Sequence, residues 1–66
     1  MQNTVTPVSA TSGTVTVLLV PLAGHPGYWI QNQTEDGDAF GDEMTVHLED
    51  ETPQDYAQRW ATLYAS

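Results

Sequence analysis

The carboxylate side chains are the groups of this chain whose number and spacing could do chemistry. All nine lie between residues 35 and 55, and no Lys or Arg interrupts them. They are Glu35, Asp36, Asp38, Asp42, Glu43, Glu49, Asp50, Glu51 and Asp55. Such a group could bind a hard cation or present a negative surface to a basic partner.

The cation-binding possibility rests on Asp36, Asp38 and Gly41, which are spaced as at the start of a calcium loop. If Asp36 is position 1, however, position 5 is Phe40 and position 12 is His47. A third side-chain ligand and the bidentate Glu are therefore both missing. A small metal-binding module stays an alternative, but we expect no dedicated metal site and no cofactor.

Catalytic groups are sparse elsewhere. His25 and His47 are far apart in sequence, and the chain has no Cys to complete a zinc site. The serines lie near the ends of the chain, and there is no GxSxG motif or glycine-rich phosphate loop. A domain of 66 residues is also not expected to form the concave pocket that catalysis occupies. We expect that the protein is not an enzyme.

The charge balance restricts the class of partner. The net charge is -8, and Arg59 is the only Lys or Arg. This charge disfavours nucleic acid and anionic membranes as partners and favours a basic surface, such as a nucleic-acid channel. The hydrophobic content of 39%, with two Trp, three Tyr and one Phe, argues against intrinsic disorder.

The local patterns predict three strands. The most β-branched run is Thr14 to Val20, a strand bounded by Gly13 and Pro21. Residues 28–32 and 43–49 predict the second and third strands, with the polar segment 33–41 as a loop between them. Residues 1–12 have no clear period and are expected to be a frayed arm or a short edge strand.

A C-terminal helix is predicted from Pro53 to about Tyr64. Thr52 is placed as its N-cap, and Pro suits the first helical position. An apolar stripe at helical spacing comprises Tyr56, Trp60, Leu63 and Tyr64. We expect this stripe to cover the strand face that carries Met44, Val46 and Leu48.

These elements predict one small α+β domain. Its sheet is antiparallel and three-stranded, or four-stranded if the N-terminal segment pairs, with the helix packed on one face. The apolar run of residues 15–23 is too short to span a bilayer and has no basic segment before it. Together with the absence of Cys, this predicts a soluble, cytoplasmic protein.

Trp29 is the one apolar residue singled out as a candidate contact. If Tyr28 and Ile30 face the core, Trp29 lies on the outer face beside the acidic strand. It would then either anchor a partner or cover the second face of the sheet.

The chain resembles the small acidic inhibitors that bacteriophages encode, especially anti-CRISPR proteins and DNA-mimic inhibitors. The resemblance lies in length, charge and the lack of catalytic motifs, so it assigns no role to any single residue. It implies a protein in the host bacterial cytoplasm that binds a CRISPR effector at the subunit reading the protospacer-adjacent motif and so excludes target DNA. We expect the protein to be a monomer.

The functional expectation follows from charge density. A compact domain of this length is roughly 28 Å across, and one DNA strand carries roughly eight phosphates over that span. An antitoxin or assembly factor that caps a basic protein is the alternative. The expected partner-binding residues are Glu35, Asp36, Asp38, Asp42, Glu43, Glu49, Asp50, Glu51 and Trp29.

Overall fold

Five strands and a C-terminal helix make up residues 6–66, the part of the chain that the computed structural model describes. The strands are β1 (Val8–Ser12), β2 (Val15–Pro21), β3 (Tyr28–Glu35), β4 (Asp38–Ala39) and β5 (Met44–His47), and the helix is α1 (Pro53–Ala65). All strand pairs are antiparallel. The predicted α+β class is confirmed.

The sheet has the order β1-β2-β3, and β4 and β5 both pair with the remaining edge of β3. β4 lies opposite residues 34–35, and β5 lies opposite residues 28–31. These two short strands therefore follow one another along a single edge of the sheet. The edge strand expected near the N-terminus is confirmed as β1, whereas residues 1–5 of that prediction lie outside the described residues.

The predicted loop over residues 33–41 is wrong at residues 33–35, which continue β3, and at Asp38–Ala39, which form β4. Asp36 and Gly37 form the turn between these two strands with φ values of 52° and 86°. Two successive positive φ values are typical of a two-residue type I′ hairpin, for which Asp-Gly is a preferred sequence. The Asp36-Gly37 dipeptide is therefore a sequence signal for a hairpin at this position.

One face of the sheet packs against α1, and this face contains the core. Val15, Val17 and Leu19 of β2 point into it and are at most 2% exposed. Ala57 and Ala61 of the helix are fully buried and belong to one core cluster with Val17 and Leu19. Small side chains at these positions let the helix approach the sheet closely.

The helix begins and ends near the predicted residues. The Thr52 hydroxyl accepts a hydrogen bond from the Asp55 amide at 3.1 Å, which confirms the N-cap. The predicted stripe is wrong at Leu63, which is 55% exposed. Within residues 6–66, no helix has both the length and the apolar character needed to cross a bilayer.

The surface that α1 covers also differs from the prediction. The helix lies mainly across β1 and β2 and not across β5. Val46 and Leu48 touch the border of the core, but Met44 is 41% exposed. Strands β1 and β2 supply the surface that the helix covers. The sequence-based prediction assumed three strands and therefore placed this surface on β5.

Candidate functional site: an acidic edge and an adjoining groove

Eight of the nine carboxylates lie in the segment that forms the β4–β5 edge of the sheet or directly follows it in the chain. We call this set the acidic edge. It consists of Glu35, Asp36, Asp38, Asp42, Glu43, Glu49, Asp50 and Glu51. The edge arises because the chain returns antiparallel along β3 in β4 and β5, and residues 49–51 follow β5 beyond the Tyr28 end of β3.

The acidic edge is a row and not a point. Strand β3 has eight residues, so its length is about 23 Å at roughly 3.3 Å per residue. The first three carboxylates lie at the Glu35 end of β3, and the last three lie beyond its Tyr28 end. Asp42 and Glu43 lie between these groups, in the segment that joins β4 to β5.

Most of these carboxylates are free of ion pairs. Among the described residues, Arg59 binds Glu51 through two hydrogen bonds of 2.7 and 3.2 Å. His47 Nδ1 lies 3.4 Å from Glu49 Oε2. Within residues 6–66 the other six carboxylates are exposed and have no ion-pair partner. The negative charge therefore faces solvent along the length of the edge.

A buried side-chain network holds the middle of the acidic edge in place. Gln33 is 4% exposed, and its Nε2 donates to the Phe40 carbonyl at 2.6 Å and to the Asp42 carbonyl at 3.5 Å. The Gln33 Oε1 accepts from Gln31 Nε2 at 3.2 Å, and Gln31 Oε1 accepts from the Tyr56 hydroxyl at 2.7 Å. The network connects the helix to the segment that carries Asp42.

Burial changes the protonation chemistry of this network at Tyr56. Burial raises the pKa of the Tyr56 hydroxyl above its ordinary value of 10.0. The neighbouring Tyr64 raises this pKa further, Arg59 lowers it, and Glu51 raises it. The neutral hydroxyl that donates to Gln31 is thus the form that the fold favours.

Trp29 does not lie on the outer face, so that expectation is wrong. It is 8% exposed and belongs to the core, on the same side of β3 as Gln31 and Gln33. Tyr28 is 39% exposed and stacks on His47, with ring centroids 4.2 Å apart. The pattern of apolar and polar residues in β3 does not reveal which face of the strand enters the core, because large apolar residues occur on both faces and two glutamines face the core.

An apolar groove adjoins one end of the acidic edge, between the β2–β3 loop and the segment that leads into α1. It has a volume of about 1030 Å³. We call it the proline groove, because all four prolines of the chain line it: Pro7, Pro21, Pro26 and Pro53. The expectation that so short a chain would form no concave pocket is therefore wrong.

Two consecutive tight turns form one wall of the proline groove. His25 N bonds to the Leu22 carbonyl, and Tyr28 N bonds to the His25 carbonyl, each at 3.1 Å. Gly24 and Gly27 occupy the third position of these turns with φ values of 80° and 85°, as type II turns require. The Leu48 amide bonds to the Gly27 carbonyl at 2.9 Å and joins this wall to the opposite one.

The sequence contains a local signal for one wall of this groove. Two prolines and two glycines within residues 21–27 predict consecutive turns. The opposite wall includes Leu48 and Glu51, which are more than 20 residues away in the chain. Only the folded chain brings these two walls together.

The described residues contain no cluster that would hold a metal ion. No three His, Cys, Asp or Glu side chains of residues 6–66 converge in that way. Asp36 lies in the β3–β4 hairpin turn beside Gly37, and Asp38 begins β4.

Comparisons with known proteins add no family to this description. The chain matches no protein-family model, no curated protein and no solved structure.

Proposed function

We propose that the protein is a stoichiometric inhibitor whose acidic edge occupies the basic nucleic-acid-binding site of a DNA-targeting complex. The observation that carries this proposal is the acidic edge, a row of eight carboxylates along one sheet edge and just beyond its Tyr28 end, of which six have no ion-pair partner within residues 6–66. An unpaired row of this kind attracts basic surfaces and repels nucleic acid and anionic lipid.

The dimensions of the row support DNA mimicry. One strand of DNA carries a phosphate about every 3.4 Å of axis, so about seven phosphates span the ~23 Å of β3. The acidic edge places five of its eight carboxylates along this length and the other three beyond the Tyr28 end of β3. A basic channel that holds a DNA strand would therefore meet a comparable number of charges.

The resemblance to anti-CRISPR proteins directs the choice of target. CRISPR effectors hold nucleic acid in positively charged channels and read a short motif on duplex DNA. In this proposal a monomer acts in the host cytoplasm, associates rapidly by electrostatic steering and blocks the DNA-reading subunit. It forms and breaks no covalent bonds.

A second candidate is an antitoxin or assembly factor that caps a basic protein without imitating nucleic acid. The proline groove favours this candidate, because an apolar groove contacts side chains of a protein partner and has no counterpart on DNA. Competition separates the two functions. DNA displaces a mimic from its target, whereas a capping partner can stay bound.

The first experiment measures DNA binding by a panel of purified CRISPR effectors with increasing amounts of the protein. A pull-down from bacterial lysate at low and high salt extends the search to other basic complexes. We expect inhibition at about one protein per DNA-binding site, weakened by salt, since charged contacts are screened.

The variant Asp38→Asn/Asp42→Asn/Glu43→Gln tests whether the acidic edge is responsible. Removing three charges is expected to weaken inhibition at least tenfold and to reduce its dependence on salt. The matched control is Asp38→Glu/Asp42→Glu/Glu43→Asp, which alters the same residues but keeps their charge. If the neutral variant inhibits as well as the wild type, the proposed mechanism is wrong.

A further inference from the structure

A second depression lies beside the proline groove and differs from it in chemistry. It has a volume of about 330 Å³ and is lined by residues 47–51, which include Glu49 and Asp50. Leu48 and Glu51 line both depressions. An apolar binding surface and an acidic one therefore share a border.

We propose that the two depressions together bind one short segment of the basic partner, in which large apolar side chains directly precede Lys or Arg. This inference rests on the proposed function, because the acidic edge selects a basic partner. It adds a specific contact to the electrostatic one. The apolar side chains enter the proline groove, and the cation faces Glu49 and Asp50.

The size and lining of the groove fit apolar side chains. Ligand pockets usually have volumes of about 300–1,000 Å³, so a groove of about 1030 Å³ holds more than one side chain. Val20, Leu22, Trp29 and Leu48 supply apolar surface. Glu51 is the only Asp or Glu in the lining, and Arg59 already binds it.

The charge of the neighbouring depression selects the second part of the segment. The Glu49 side chain is 72% exposed, and Asp50 has no ion-pair partner among residues 6–66. A Lys or Arg that follows the apolar side chains would meet both carboxylates. An acidic residue at the same place would be repelled.

The groove is suited to binding because its walls are held before a ligand arrives. Proline fixes φ near -65°, and four prolines contribute to the lining. The Leu22 amide also bonds to the Tyr28 carbonyl at 2.9 Å, closing the base of the β2–β3 loop. Such preorganisation reduces the entropy that is lost on binding.

A second copy of this chain does not fit the same description. Two copies would each carry a charge of -8, and the chain offers a single Lys or Arg. That residue is Arg59, which is bonded to Glu51 of its own chain. Charge complementarity thus favours a basic partner protein over self-association.

The test titrates the isotope-labelled protein with the peptide acetyl-Gly-Trp-Leu-Arg-Lys-Gly-amide and follows its amide and indole NMR signals. We expect shifts at Trp29, which lines the groove, and not at Trp60, which does not. A peptide with Ser-Ser for Trp-Leu and one with Glu-Glu for Arg-Lys should each bind at least tenfold more weakly. The inference is overturned by no binding at millimolar peptide, by equal binding of either altered peptide, or by equal binding of N-acetyltryptophanamide.

Two matched variants locate the site. Ala23 is exposed in the wall of the groove, and Ala39 is exposed on β4, outside it. We expect Ala23→Arg to weaken peptide binding at least fivefold and Ala39→Arg to change it less than twofold, although both add one positive charge. Equal effects in two folded variants, checked by circular dichroism, would place the peptide elsewhere and overturn the inference.

The same measurements separate this inference from the function on which it rests. The neutral variant at Asp38, Asp42 and Glu43 should bind the peptide within twofold of the wild type, because those residues do not line the groove. If that variant loses inhibition while Ala23→Arg keeps it, the groove inference fails and the acidic-edge function stands. If peptide binding behaves as expected but the neutral variant inhibits normally, the acidic-edge function fails.

Discussion

The Tyr56 hydroxyl donates a hydrogen bond of 2.7 Å to Oε1 of Gln31, across the interface between helix and sheet. Gln31 is fully buried, so its side-chain oxygen is shielded from bulk water. The bond begins the network that ends at the carbonyls of Phe40 and Asp42. Core packing and the geometry of the acidic edge are therefore connected.

The first prediction concerns the stability that this bond provides. Tyr56→Phe should lower the free energy of unfolding by about 1–3 kcal/mol, because it leaves a buried acceptor without a partner. Tyr28→Phe is the control, since the exposed Tyr28 hydroxyl makes no hydrogen bond within residues 6–66; its effect should stay within about 0.5 kcal/mol. Urea denaturation measures both, and equal effects would contradict the role of the network.

The second prediction follows from the raised pKa of Tyr56. A raised pKa in the folded state means that the folded chain holds this proton more tightly than the unfolded chain. The contribution to stability is therefore complete below pH 10 and is lost as pH rises through the folded-state pKa. Denaturation between pH 8 and 12 should show a steeper decline for the wild type than for Tyr56→Phe. Parallel curves would contradict this prediction.

The third prediction concerns the close contact that holds the segment after β4. Gly41 has a φ of 70°, and a Cβ added there would lie 2.7 Å from Gln33 Nε2. Gly37 has a φ of 86° but open space around it. Gly37→Ala should therefore lose about 1 kcal/mol from backbone strain alone, and Gly41→Ala should lose more. Thermal denaturation measures both, and equal losses would mean that the Gln33 contact is unimportant.

The fourth prediction tests which face of the helix is buried. Ala61 is fully buried and Leu63 is 55% exposed. Ala61→Leu should lower the free energy of unfolding by about 1–3 kcal/mol through overpacking, and Leu63→Ala should change it by less than about 0.5 kcal/mol. If chemical denaturation shows a larger loss of stability for Leu63→Ala than for Ala61→Leu, the apolar stripe predicted from the sequence, with Leu63 buried, would be correct.

The fifth prediction concerns repulsion within the acidic edge. Glu35 and Asp38 lie directly opposite each other in the β3–β4 register, and opposed like charges destabilise a strand pair. Asp38→Lys should therefore raise the free energy of unfolding by about 0.2–1 kcal/mol more than Glu43→Lys, which makes the same change in net charge. The difference should shrink in 1 M NaCl, and its absence at low salt would contradict the repulsion.

Local signals in the sequence determined the helix and the approximate positions of β2, β3 and β5. Thr52 and Pro53 mark the helix start because an N-cap is an interaction between residues three positions apart. β2 follows from a β-branched run whose preference is also local. The confinement of all carboxylates to one third of the chain is likewise a property of sequence alone.

The tertiary structure decided the arrangement of these elements, because it depends on contacts between residues far apart in the chain. Tyr56 gives Gln31 a buried hydrogen-bond partner 25 residues away in the chain. Because of this bond, the face of β3 that carries Gln31 and Gln33 can enter the core in place of the face that carries Ile30. Pairing of both β4 and β5 with β3 turns a cluster of acidic residues in sequence into a row. The proline groove forms between the β2–β3 loop and the segment that leads into α1. No local sequence pattern predicts that these two segments lie side by side.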